Sequence, residues 1–218
     1  RSPSPYVREA REGDSPEFRL LERDGRWLIA GPADDRPLVD EIDARSEAGA
    51  EKAVRRLEHM ARWALAARLT NLESSIGPEE VEMKILQGDR ELTGPEIRLE
   101  YQYREGRWTP PEFRIGLTNK GDRRLFAALL NLTETYKISA ALQDGGSVRI
   151  DPGETAWAYH GRPIPVTVPD ALWKQGVIEY RDILKLIVCT DEFDARLMEQ
   201  PALDLPRRAP AQTRGARS

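Results

Sequence analysis

Two side chains of this 218-residue chain could begin a nucleophilic reaction. One is Cys189, the single cysteine, in "DILKLIVCTDEFD"; the other is His160, one of two histidines, in "YHGRP". A cysteine hydrolase is built on such a pair, with an attacking thiolate and an imidazole that takes its proton. The neighbours of Cys189 oppose that chemistry. Asp191, Glu192 and Asp194 follow it closely, and ionised carboxylates raise a thiol pKa where a reactive cysteine needs a cation, a base or a helix N-terminus to lower it. Leu184, Leu186 and Val188 alternate with Lys185, Ile187 and Cys189, so the run is nearly apolar on both sides. That pattern predicts an interior strand in which Cys189 is a small buried hydrophobe. No residue is assigned a catalytic role, and a cysteine hydrolase using His160 and Cys189 stands as the alternative.

Other chemistries lack their motifs. There is no Gly-x-Gly-x-x-Gly, no phosphate-cradling loop ending in Lys-Ser or Lys-Thr, no Gly-x-Ser-x-Gly elbow and no helix with paired histidines. His59 and His160 are too few for a histidine-rich zinc site. Asp191, Glu192 and Asp194 carry oxygens that suit calcium, but the glycine and the repeated oxygen spacing of a dedicated loop are missing. No metal and no cofactor is expected. "NLT" at Asn131 matches a glycosylation sequon but falls inside a predicted strand.

The 33 basic residues are nearly balanced by 37 acidic ones, for a formal charge of -4. This leaves no basic excess of the kind a phosphate backbone or an anionic membrane selects, so nucleic acid and membrane are not expected partners. A lone cysteine excludes an internal disulfide framework, and no apolar run approaches the roughly 18 to 20 residues that span a bilayer. A cytoplasmic setting is expected. The opening "RSPSPYVRE" has neither a methionine nor a signal-peptide pattern, so the expectation is a piece of a longer or processed polypeptide.

The elements follow from periodicity. In "FRLLERDGRWLIAG" the Asp24-Gly25 pair between apolar runs predicts a two-residue hairpin. Ser46 suits a helix N-cap with Glu47 in the first turn, and from 46 to 69 the spacing is helical. Val54, Leu57, Met60, Ala61, Ala64 and Ala67 form its apolar side, with Trp63 near the edge. The other side carries Lys52, Arg55, Arg56, His59 and Arg62. Arg55, Arg56 and Arg62 are the candidate binding residues for an acidic partner; the competing reading is a solvated face, since Glu51 and Glu58 sit four residues before Arg55 and Arg62.

Beyond Pro78 the period becomes two, in "EVEMKIL", "EIRLEYQY", "EFRIGLT", "RLFAALLNLT", "GSVRI", "TAWAY", "IPVTV" and "ILKLIVCT". Short strands separated by Gly, Pro, Asn and Asp predict a mainly β chain: an antiparallel, immunoglobulin-like β-sandwich with an N-terminal hairpin and one long amphipathic helix. "PDALWKQG" adds one brief helical turn. The expected organisation is a linker over 1–17, a hairpin and helix lobe over 18–77, the sandwich over 78–200, and a Pro- and Arg-rich linker or disordered tail over 201–218, open to trypsin at Arg207, Arg208 and Arg214.

The succession "PPEFRIGLTNKGDRRLFAALLNLT", "GGSVRIDPGETAW", "IPVTVPD" and "GVIEYRDILKLIVCTDEFD" resembles the β-sandwich modules that follow the peptidase domain in many bacterial caspase-like proteins. "RDGRWLIAGPADDRPLV" and "LEHMARW" extend the likeness to roughly residues 18 to 205. The resemblance implies a non-catalytic accessory or regulatory module, with a linked or associated caspase-like peptidase domain as partner. None of that family's catalytic residues carries over: Val188 precedes the cysteine, "TDEF" follows it, and His160-Gly161 falls at a β corner. Recognition would use an exposed strand edge or the basic helix face.

Overall fold

A computed structural model describes residues 4–143 and 146–206. The chain is mainly β, with several antiparallel sheets and one long helix. Strands β1 (Arg19–Arg23) and β2 (Arg26–Ala30) form the hairpin, and its turn places Asp24 and Gly25 at φ 52° and 71°. That left-handed pair matches the twist of the strands and explains the Asp-Gly sequence. β3 (Ile42–Asp43) adds to β2, and helix α1 (Glu47–Arg68) follows at once. Ser46 caps α1, its hydroxyl accepting the Gly49 amide at 3.1 Å. Gly49 is required where it stands, because a Cβ there would run into the Asp43 carbonyl.

The remaining strands are β4 (Val81–Gln87), β5 (Arg90–Leu92), β6 (Gln102–Arg104), β7 (Arg107–Thr109), β8 (Glu112–Asn119), β9 (Leu125–Thr133), β10 (Ile138–Ser139), β11 (Val148–Ile150), β12 (Thr155–Trp157), β13 (Ile164–Pro165) and β14 (Asp182–Cys189). One sheet centres on β8, with β4 and then β5 on one side and β12 and β13 sharing the other. A second centres on β9, with β14 along one side and β10 and β11 sharing the other. Among the described residues β6 and β7 pair only with each other. The expected run over 96–103 is extended sheet only at its end, in β6, while 170–173 is the anticipated short helix, α2 (Asp170–Trp173).

Three clusters of apolar side chains hold the elements together. Ile115 and Leu117 of β8 meet Leu125, Ala127 and Leu129 of β9, with Leu184, Leu186 and Val188 of β14 packed against them. The other side of β9, Ala128, Leu130 and Leu132, is covered by Ala66 and Trp63 of α1. β9 is thus apolar on both faces because one faces the β8 sheet and the other the helix; each such side chain contributes about 1.5–3 kcal/mol on burial. About one turn before Trp63, Met60 of α1 packs against Ile29 and Val39 of the hairpin region. Val54, expected on the apolar side, is 41% exposed, and the buried stripe runs instead through Ala53, Met60 and Ala64.

Short polar segments carry the chain between sheets. Asn119, fully buried, donates to the carbonyls of Arg123 at 2.8 Å and Ile150 at 2.9 Å and accepts the Gly121 amide at 3.0 Å. That pins the "TNKGD" crossing from β8 to β9. At the "DPGE" corner Asp151 is bound by Arg149 and Arg124, which hold its carboxyl down at about 2. Past β14, the segment at 200–204 is tied down by Leu203 N–H to the Thr135 carbonyl at 2.7 Å and by Asp40 N–H to the Asp204 carbonyl at 2.8 Å. The expected cleavage sites at Arg207, Arg208 and Arg214 lie outside the described residues. No helix among the described residues is long and apolar enough to cross a membrane.

The expected interior position of the late strand needs correction. Among the described residues β14 pairs with β9 alone and forms the edge of its sheet. Its side chains are apolar on both faces because both faces are covered, by the β8 sheet and by α1, while its outer backbone has no neighbouring strand. Cys189 is accordingly half-buried rather than enclosed.

Candidate functional site

Cys189 ends β14, opposite Phe126 of β9. Burial pushes its thiol pKa up, and Asp191 pushes it further. His160 lies just past β12 in a tight turn, Ala158–Gly161, where Tyr159, His160 and Gly161 take φ values of 50°, 54° and 77°. β12 adjoins β11, and β11 lies on the far side of β9 from β14. Two strand spacings of about 4.8 Å therefore separate the backbones of β14 and β11. The structure does not bring them together. The acidic residues after Cys189 have local partners: Asp191 accepts from the Thr190 hydroxyl at 3.0 Å, and Asp194 caps the 3₁₀ turn Ala195–Met198 while pairing with Arg196 at 2.8 Å. Among the described residues no group of three or more His, Cys, Asp or Glu is arranged to hold a metal ion.

The three arginines of α1 do not share one surface. Arg55 is exposed and pairs with Glu51 one turn earlier at 3.3 Å. Arg56 is 8% exposed and donates through its guanidinium to the Asp40 carbonyl. It was expected on the solvated side and belongs to the interior, because residue 56 is rotated about 100° from residue 55 and points at the β2–β3 connection. Arg62 is half-buried, its guanidinium 5.8 Å above the ring centre of Tyr6. A stripe that is continuous in sequence is split into one wet, one buried and one stacked cation.

A polar node that motif reading missed joins three distant parts of the chain. His59 Nε2 lies 3.0 Å from the Tyr136 carbonyl, and the Gln200 amide donates to that carbonyl at 2.7 Å and to the His59 carbonyl at 3.1 Å. Tyr136, at φ 60°, packs edge-on against Trp63 with ring centres 5.5 Å apart. Burial raises the Tyr136 phenol to about 12, with Glu134 adding to the rise, and burial lowers the His59 pKa. Residues 59, 136 and 200 have no spacing that announces them; only the fold makes them neighbours. The node stitches α1 to the turn after β9 and to the segment after the 3₁₀ turn.

The edge of β14 is eight residues long and has no strand beyond it among the described residues. Glu134 N–H donates to the Arg181 carbonyl at 3.2 Å, which marks 181 and 134 as a hydrogen-bonded pair of the antiparallel ladder. By alternation, residues 183, 185, 187 and 189 bond to β9, and Asp182, Leu184, Leu186 and Val188 turn their backbone N–H and C=O groups outward. The strand contains no proline, and Lys185, its one lysine, does not guard the rim; its ammonium donates inward to the Ala67 carbonyl in the last turn of α1 at 3.2 Å. Comparison with protein families, curated proteins and solved structures finds no match.

Proposed function

We propose that this chain is a non-catalytic accessory module that docks a caspase-like peptidase domain, its own or an associated one, by adding a strand to the open edge of β14. The reading extends the resemblance of residues 18 to 205 to bacterial caspase-like accessory modules. The observation that carries it is the eight-residue edge with four residues presenting unpaired backbone groups and no proline or outward-turned lysine to block a partner. The two packed sheets suit an immunoglobulin-like sandwich, and the setting that goes with the proposal is cytoplasmic. The separation of Cys189 from His160, and the raised thiol pKa, favour this over a hydrolase.

The test mixes the purified chain with a caspase-like peptidase domain. Binding or a change in peptidase activity is expected, with no hydrolysis of peptide, ester or nucleotide by the chain alone. Ile183→Lys, at a residue 39% exposed on the edge strand, should weaken binding at least about tenfold while shifting stability by no more than about 1 kcal/mol. Loss of binding on Arg55→Ala and Arg62→Ala, with steep weakening by salt and no effect of Ile183→Lys, would move the surface to the helix. Peptidase activity of the isolated chain that vanishes in both Cys189→Ala and His160→Ala would overturn the proposal.

A further inference from the structure

On the side of β9 away from β14, the open border between the two sheets is closed over by two turns, residues 141–143 and Ala158–Gly161. They are tied together by the Tyr159 amide, which donates to the Leu142 carbonyl at 3.1 Å. Between them lies a cavity of about 420 Å³, within the roughly 300–1,000 Å³ range of small-molecule sites. Its floor is apolar: Leu142, Val148 and Ala156 line it and also pack against the inter-sheet core.

The polar side chains around this floor are those of Gln143, Tyr159, His160 and Arg162. Gln143 is 8% exposed, and its amide nitrogen is closed off from solvent without a hydrogen-bond partner. Leaving such a donor unmet is unfavourable, and the broad terminal torsion of a glutamine lets the amide turn toward an acceptor brought into the cavity. Arg162 is exposed at the rim and donates through Nε–H to the Tyr159 carbonyl at 3.4 Å, which leaves the two terminal guanidinium nitrogens for a ligand. Tyr159, partly exposed, supplies an aromatic wall with a hydroxyl, whereas the Trp157 ring lies against Gly116 on the outer face of β8, with the Arg114 guanidinium 5.8 Å from its centre. No described residue of the lining carries a carboxylate.

We propose that this cavity is a binding site for a small carboxylate with a planar apolar body. The carboxylate oxygens accept from the Arg162 guanidinium, whose fork matches their geometry, and from the Gln143 amide; the planar body lies on the apolar floor beside Tyr159. This site goes beyond the docking role and does not rest on it, since β9 lies between the cavity and the β14 edge.

Calorimetric titration of the full chain with benzoate, benzamide and inorganic phosphate at neutral pH tests the assignment. Saturable benzoate binding in the millimolar range or tighter is expected, with benzamide and phosphate each weaker by about tenfold or more. Arg162→Ala should weaken benzoate about tenfold with the thermal midpoint unchanged, because the side chain is at the surface; Gln143→Leu, of similar size and without the donor, should weaken it by a similar factor. Absence of saturable benzoate binding overturns the proposal. So does equal affinity for benzamide or for phosphate, or benzoate binding unaffected by both substitutions.

Discussion

Arg55→Ala is expected to change stability by less than about 0.5 kcal/mol, because Arg55 is exposed and its pair with Glu51 is a surface contact within one helix. Arg56→Ala should cost about 1–3 kcal/mol, since it strands the Asp40 carbonyl and empties a buried position. Urea unfolding of the two variants side by side checks the contrast; equal losses would place both arginines on one surface. His59 adds a pH dependence. Burial lowers its pKa below the ordinary 6.5, with Arg62 adding to the effect, so the folded state holds the neutral ring. The associated stability is fully present above pH 6.5 and is lost as pH falls through the depressed folded value. Urea midpoints measured between about pH 7.5 and pH 5 should fall in the parent chain and fall less in His59→Gln. For Cys189, reaction with a thiol reagent should reach half its maximal rate at a higher pH than for free cysteine, and Asp191→Asn should lower that pH.

At the scale of elements, β14 and β9 show how far a hydrophobic pattern reaches. Both read as apolar on two faces, and both are covered on two faces. Only β9 has strands on both sides. Side-chain pattern reports what lies above and below a strand; it carries no signal about what lies beside it, because the groups that would pair there are backbone and identical at every residue. The energetic consequence is measurable. Leu130→Ala, at a fully buried position in the centre of the sheet, should cost about 2–5 kcal/mol, and Ile187→Ala, half-buried at the edge, should fall near the lower end of that range, by urea unfolding at 25 °C. A larger loss at 187 than at 130 would mean that the edge is covered in solution.

For the whole molecule, the hairpin region and the two sheets are linked through α1, which contributes Met60 to one cluster and Ala66 to another, and through the node of His59, Tyr136 and Gln200. Unfolding in urea should accordingly give coincident transitions by tryptophan fluorescence and far-UV circular dichroism. Separate transitions would show that the hairpin region and sheets are stabilised independently. Tyr136→Gly removes the Trp63 contact, keeps the carbonyl that His59 and Gln200 bond and relaxes a left-handed backbone, so its effect on cooperativity reports the ring contact and not the turn. The amino-acid sequence alone determined the local features: the Asp24-Gly25 hairpin, the Ser46-capped helix, the alternating strands and the acidic surroundings that keep Cys189 from being a ready thiolate. These depend on neighbouring residues and on periods of 2 and 3.6. The edge position of β14, the burial of Arg56, the node around His59 and the cavity beside Gln143 were decided only by tertiary structure, because each is set by which distant segments the sheets and helix bring alongside.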